Sequence, residues 1–257
     1  MNIFVLLKRT FDTEEKISIA NGQVQEDGAE FIINPYDEYG VEEAIRLRDN
    51  HGGEVTVVSV GSDEAEKQLR TALAMGADKA VLINTEDDLD EGDQFTTAKI
   101  LTSYLKDKEA DIILAGNVAI DGGSGQVGPR VAEGLGIPYV TTITKIEVNG
   151  SDVSIMRDVE GDSERIQTSL PVLVTCQQGL NEPRYPSLPG IMKAKKKPLE
   201  EIEIDDLDLK EEDVRAKTNT LDIYLPPQKA AGRLLEGDIS AQVDELVKLL
   251  HNEAKVI

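Results

Sequence analysis

The sequence predicts an α/β protein in which a parallel sheet is covered by helices on both faces, a three-layer arrangement. Three observations lead there. From residue 3 to residue 135, short apolar runs alternate four times with amphipathic stretches, the pattern of a parallel sheet with right-handed crossovers. A glycine-rich stretch from Gly116 to Gly128 joins one apolar run to a helical pattern. From Thr142 the period changes to alternating residues around Asn149-Gly150 and Gly161-Asp162, which predicts a β-hairpin insertion near one sheet edge.

Taken in order, Ile3 to Leu7 is an apolar run suited to a central strand. Lys8-Arg9 follows at its carboxyl end, the sheet edge where ligands bind in open α/β folds. These two charges are either solvated ends or face a phosphate or a partner acid. Residues 12 to 33 alternate around Asn21-Gly22 and Asp27-Gly28 and predict an excursion with short strands. Asn34-Pro35-Tyr36-Asp37 opens a helix over Glu38 to Asn50, with Val41, Ala44, Ile45 and Leu47 on its apolar stripe. Glu54 to Val60 is a strand. Ser62 is a suitable N-cap for a helix over Asp63 to Met75, which Gly76 stops. Lys79 to Ile83 is a strand, Glu86 to Asp93 an acidic loop, Gln94 to Leu105 a helix, and Asp111 to Ala115 a buried strand. Val127 to Leu135 reads as a helix, and Ile137 to Val140 as a short strand. Residues 143–148, 153–159 and 164–168 read as antiparallel strands, and Pro171 to Cys176 as a last apolar strand. The pattern thins after Pro198, so the chain divides into an α/β domain, residues 1–198, and an extended C-terminal arm, residues 199–257. In the arm Ser240 to Leu250 is a helix with Val243, Leu246, Val247 and Leu250 inward. The arm has too few apolar residues for a core of its own and is expected to pack back on the main domain or wrap a partner.

Composition narrows the function. With 49 acidic and 27 basic residues the formal net charge is −22, which argues against a nucleic-acid binder. Aromatic residues are 4% and Trp is absent, which argues the same way. No apolar run approaches the roughly 18 residues of a membrane span, so no membrane insertion is expected. The chain enters a strand at Asn2 with no basic targeting segment, and its single Cys176 suits a reducing compartment, so a cytoplasmic location is expected. His51 and His251 read as surface residues and Cys176 as core; no metal-ligand or nucleophile motif is present. The absence of bond-breaking residues points away from an enzyme and towards a cofactor-binding or transfer protein.

Two stretches carry the chemistry. In Gly116-Asn117-Val118-Ala119-Ile120-Asp121-Gly122-Gly123-Ser124-Gly125-Gln126-Val127, a strand, a glycine turn and a helix start can cradle phosphate, because glycines let the backbone approach and the first helical N–H groups point at an anion. The plainer alternative is a flexible strand-to-helix connection. In Asn181 to Pro198, three prolines break the first half, Leu188, Ile191 and Met192 are apolar, and four lysines stand at 193, 195, 196 and 197. This is either a solvated helix with an apolar underside or a docking loop whose apolar anchor is ringed by charge that steers an acidic partner.

Asn34-Pro35 with Glu42-Glu43-Ala44, Arg70 to Asp78, Ala119-Ile120-Asp121, Arg157 to Glu164 followed by Leu170 to Thr175, and Asn181 to Lys197 together resemble the β subunits of electron transfer flavoproteins, nearly end to end. The resemblance implies an adenine-nucleotide-binding (Rossmann-like) fold and an αβ heterodimer. It implies one FAD held mainly by the α subunit, fed by acyl-CoA and related dehydrogenases in fatty acid β-oxidation and emptied by a membrane quinone oxidoreductase. It further implies a structural AMP touching Leu6, Asn34, Pro35, Tyr36, Asp37, Val60 and Gly116 through Val127, with Tyr36 approaching the flavin. Leu188, with Ile191, Met192 and Lys193, would recognise dehydrogenases, and Asp158 would pair with a base on the α subunit. The arm would pack on that subunit.

Two alternatives stand beside this. One branch of the family bifurcates electrons with a second FAD in place of AMP, and tends to read D-G-D-T-A-Q where this chain reads Asp121-Gly122-Gly123-Ser124-Gly125-Gln126. A stand-alone adenine-nucleotide sensor needs neither the arm nor the Leu188 segment.

Overall fold

The computed structural model describes residues 1–85, 92–229 and 231–257. Most of the expected acidic loop, residues 86–91, lies outside the described residues. In chain order the elements are β1 (Asn2–Leu6), β2 (Arg9–Phe11), β3 (Ile19–Ala20), β4 (Gln23–Val24), β5 (Phe31–Ile33), α1 (Pro35–His51), β6 (Glu54–Gly61), α2 (Glu66–Met75), β7 (Lys79–Asn84), α3 (Gln94–Leu105), β8 (Ile112–Gly116) and α4 (Val127–Leu135). They continue as β9 (Tyr139–Asn149), β10 (Asp152–Val159), β11 (Asp162–Ser169), β12 (Val172–Cys176), α5 (Leu188–Ala194), β13 (Leu199–Glu203), α6 (Glu211–Val214) and α7 (Ile239–Leu249).

Nine strands form one mostly parallel sheet in the order β11-β10-β9-β12-β8-β1-β6-β7-β13. β1 is central, with Val5 opposite Val57 of β6 and Leu114 of β8. Its residues alternate between two cores. Ile3 and Val5 face α1 and α2 with Ile45, Leu69 and Leu73; Phe4 and Leu6 face α3 and α4 with Ile100, Leu101 and Val131. That alternation makes the predicted three-layer α/β architecture, because a strand buried on both faces must be apolar at every position. Cys176 is fully buried beneath α1, and burial pushes its thiol pKa up, as the core reading expects.

Local chemistry sets the helix ends. Pro35 opens α1 at a position whose N–H is not needed, with Asp37 and Glu38 in the first turn and Arg48 and His51 in the last, each favourable to the helix dipole. Gly136, at φ 66°, closes α4 in the left-handed conformation. Ser62 does not cap α2 with its side chain; a single 3-10 turn, Asp63–Ala65, leads into that helix instead.

Three expectations are corrected. The separate strands at 137–140 and 143–148 are one strand, β9, pairing in parallel with β12 at one end and antiparallel with β10 at the other. The change of partner is made at Thr142, which takes φ 56°, a conformation costly for a β-branched residue. Its amide donates to Thr175 Oγ1 (3.1 Å) and its hydroxyl to Asp158 O (3.2 Å). Next, the fold does not divide at residue 198. Leu199–Glu203 is the edge strand β13, parallel to β7, and Ile204, Leu209 and Val214 are buried in the core under α3. Apolar residues scattered among the acids of this stretch are enough to dock it.

The described chain forms two units, Met1–Ile17 with Gln25–Leu221, and Ser18–Val24 with Asp222–Ile257. The second contains the β3–β4 hairpin, turning at Asn21 (φ 55°) and Gly22 (φ 76°) as its Asn-Gly predicts. It also contains α7, capped by Asp238, whose carboxylate accepts from the Ala241 amide. The inward face expected for α7 is the third correction: Val243, Leu246 and Val247 are exposed, and none of its residues is buried. Among the described residues of this unit, a two-stranded hairpin and one helix, none is buried; so few elements build no second layer over the stripe. No described helix is long and apolar enough to cross a membrane.

Candidate functional site

A cleft of about 300 Å³ opens at the carboxyl ends of β1, β6 and β8. The chain leaves β1 through α1 towards β6, and β8 lies on β1's other side, so this is the point where strand order reverses and where open α/β sheets take ligands. Leu6, Val58, Val60 and Leu101 supply apolar wall. Gly116 to Ala119, Gly122 and Ser124 to Gly128 supply backbone.

The floor is tied to the start of α1. Asp37 Oδ1 accepts from the Gly116 amide at 2.9 Å and from Asn34 Nδ2 at 3.0 Å, and Asp37 Oδ2 accepts from the Lys8 amide at 2.7 Å. Asn34 also donates to Val118 O (3.0 Å) and accepts from the Ile120 amide (3.2 Å). Both side chains are buried. Burial pushes the Asp37 pKa up to about 7, against the lowering effect of its three donors and the Lys8 charge. A Cβ on Gly116 would lie 2.2 Å from Asp37 Oδ1 and 2.8 Å from Tyr36 Cβ, so only glycine lets strand and helix approach this closely.

Two helix N-termini reach the cleft, and they differ. At α3, Asp93 fills the cap itself. Its Oδ1 accepts from the Phe95 and Thr96 amides, and its Oδ2 from the Lys217 and Thr218 amides and the Thr218 hydroxyl. Burial would raise the Asp93 pKa, but these donors outweigh it and hold the carboxyl well below the usual range. At α4, Gln126 makes no side-chain cap, its Oε1 accepting instead from Arg130 Nε and Nη2 (3.1 and 2.8 Å), and the first turn contains no acid. The opening amides of α4 are therefore the ones left to an anion. The cleft suits a ligand with an apolar ring at one end and an anionic group at the other.

Of the residues expected here, Leu6, Asn34, Asp37, Val60, Gly116, Asn117, Val118, Ala119, Gly122, Ser124, Gly125, Gln126 and Val127 line the cleft. Pro35, Tyr36, Ile120, Asp121 and Gly123 do not. Asp121 turns to Lys8, whose Nζ donates to both its oxygens at 2.7 and 2.8 Å, so Lys8 faces an acid of its own chain at the rim of the cleft. Lys8 lines the cleft at the sheet edge where the sequence sets it, and Val58, Asp93, Thr97 and Leu101 line it without having been expected to. For Asp93 the available signal was its place directly before the helix at Gln94.

The second stretch is a short helix whose apolar residues point outward. Ser187 caps α5, accepting from the Gly190 amide at 3.1 Å. Leu188 is 80% exposed and Met192 73%; Ile191 is partly exposed and Ala194 is the buried residue. Of the two alternatives, the solvated helix is found without its apolar underside, and the docking element is a helix rather than a loop, with Leu188 as the first residue of α5. Lys193, Lys195 and Lys196 are exposed, but Lys197 is structural, its Nζ donating to Leu73 O and Ala77 O at the end of α2. Asp158 is exposed on β10, towards the opposite side of the sheet from α5, which packs on α2. The structure does not bring these two groups together.

Residues 21–207 match the family model described as Electron transfer flavoprotein domain. Over 257 residues, all of both chains, the sequence is 68% identical to the protein named electron transfer flavoprotein subunit beta of Bacillus subtilis (strain 168). It is 41% identical to the protein of that name from Syntrophomonas wolfei, covering all of this chain and 98% of the relative. It is 36% identical to acryloyl-CoA reductase electron transfer subunit gamma of Anaerotignum propionicum, covering 97% and 98%.

Proposed function

Because the chain belongs to the electron transfer flavoprotein family as a beta subunit, an electron carrier's component that works with an alpha subunit and is not itself an enzyme, we propose that its cleft holds AMP and that it helps position an FAD held mainly by the alpha subunit. The single observation that carries the AMP assignment is the contrast between the two helix N-termini: α3 is closed by Asp93, and α4 opens its amides to a phosphate. Leu6, Val58, Val60 and Leu101 would flank the adenine ring, and the backbone of Gly116 to Ala119 would lie beside the nucleotide.

The redox chemistry belongs to the flavin. This chain's residues bind, position and dock. Leu188 and Met192 on α5, beside Lys193, Lys195 and Lys196, form an apolar anchor ringed by positive charge on an otherwise acidic protein, suited to acyl-CoA and related dehydrogenases. A membrane quinone oxidoreductase is the acceptor in this reading, and exposed Asp158 pairs with a base on the alpha subunit.

A second reading, an electron-bifurcating carrier with FAD in the cleft, is favoured by the likeness to an acryloyl-CoA reductase subunit. The loop Asp121-Gly122-Gly123-Ser124-Gly125-Gln126, which lacks the second acid and the Thr-Ala pair of that branch, supports AMP. A lone nucleotide sensor has no use for the exposed apolar residues of α5. The test is a nucleotide count on the complex purified with its natural partner. One FAD and one AMP are expected; two FAD and no AMP would replace AMP with the second reading, and a partner-free chain holding only an adenine nucleotide would favour the sensor.

A further inference from the structure

The segment that presents α5 is strapped at both ends. On α1, the Arg184 guanidinium grips Glu42 as a fork, Nε to Oε2 at 2.7 Å and Nη2 to Oε1 at 2.9 Å, while the Arg184 amide donates to the same carboxylate at 3.2 Å. The Glu42 side chain is only 7% exposed. Asn181 Nδ2 adds bonds to Tyr39 O (3.0 Å) and Glu43 Oε2 (2.9 Å). On α2, Arg70 Nη1 donates to Ala194 O and Lys197 O at 3.2 and 3.1 Å. Between Arg184 and Ala194 stand Pro186 and Pro189, and Pro183 directly precedes Arg184. Proline fixes φ and removes a backbone donor, so this stretch has little chain freedom and few backbone bonds of its own. Its direction is therefore set by where its ends are held and by the packing of α5 on α2.

We infer that Arg184 is a positioning residue for dehydrogenase recognition: through Glu42 it fixes the proline segment that aims Leu188 and Met192 away from the protein. This rests on the reading of α5 as the docking element. The strap lowers the ordering cost of association, because the anchor is held in its bound direction before the partner arrives. Lysine could keep the charge of Arg184 but not the fork. Arg184 touches neither the nucleotide cleft nor the exposed face of α5, so its effect falls on affinity alone.

The test is the KM of the purified heterodimer in dehydrogenase-driven reduction, with kcat and nucleotide content measured on the same preparations. Arg184→Ala is expected to raise KM about tenfold with kcat and nucleotide content unchanged, Arg184→Lys to recover part of the loss, and Leu188→Ala to raise KM by itself. Arg184→Ala added to Leu188→Ala should raise KM little further, since a misaimed anchor and a missing one fail alike. Should Arg184→Ala not assemble, because it leaves Glu42 buried and unpaired, the neutral pair Arg184→Gln with Glu42→Gln serves in its place with the same expected rise. A normal KM in the Arg184 variants beside a raised KM in Leu188→Ala overturns the positioning role and leaves the docking reading intact. A fall in kcat at constant KM, or full additivity with Leu188→Ala, also overturns it. A normal KM in Leu188→Ala sinks the docking reading and this inference with it.

Discussion

Asp37 and Gly116 lie so close that the carboxylate of one accepts from the amide of the other at 2.9 Å, while a methyl group on Gly116 would sit 2.2 Å from that same oxygen. The bond joins the start of α1 to the end of β8 at the floor of the cleft, and neither partner can move without displacing the glycine loop.

Gly116→Ala must therefore push α1 and β8 apart. The expected loss is about 1–3 kcal/mol, typical of overpacking a tight site, together with loss of nucleotide from the purified complex. Gly232→Ala is the matched control, since a Cβ there meets nothing within 4 Å and the residue does not line the cleft. Denaturation midpoints and released nucleotide for the two variants check this; equal behaviour would show that the approach is relaxed in solution.

Asp37 makes stability depend on pH. Burial raises its pKa from an ordinary 3.8 to about 7. A group that holds its proton more tightly when folded favours the fold fully below its unfolded pKa and loses that contribution as pH rises through its folded value. The thermal midpoint should thus fall between about pH 4 and about pH 7 by more in the parent than in Asp37→Asn, which cannot titrate. The variant should also be less stable overall, because its amide sets an N–H against that of Lys8. Identical slopes in the two proteins would mean that Asp37 does not titrate in this range.

Gly40 lies inside α1 with its back to the sheet. A Cβ there would sit 3.5 Å from Val5 Cγ1 and 3.7 Å from Cys176 Sγ and Leu114 Cβ, ordinary contact distances. Gly40→Ala should gain about 0.4–1 kcal/mol from lost unfolded-state freedom, or about 1–4 °C in Tm. A lower Tm on a thermal scan would show the site to be tighter than these distances.

Local signals made much of the fold legible. The bounds of α3 and α4 were readable from an aspartate before one and a glycine after the other, and the hairpin turns from Asn-Gly and Gly-Asp. What was not legible is long-range. Nothing in periodicity pairs Arg184 with Glu42, 142 residues away, or brings Asp93 to a cleft floored by Asp37 and Gly116. β13 reads as part of an arm because its acids mask Leu199 and Ile202, which need β7 beside them to become a strand. Asp121 belongs to the glycine loop in sequence, but its side chain turns away to Lys8, a contact 113 residues distant that no local pattern carries.

The nine-stranded sheet ends in two outer strands, and both present charged side chains. β13 exposes Glu200, Glu201 and Glu203 at one margin, and β11 exposes Asp162, Ser163, Glu164 and Arg165 at the other. A bare strand margin is a template on which another chain's strand can add, the first event in aggregation. Here an incoming copy would have to lay like charge against like charge along the acidic margin. The acids that hid β13 from view in the sequence are the same groups that keep a long sheet from growing past its ninth strand.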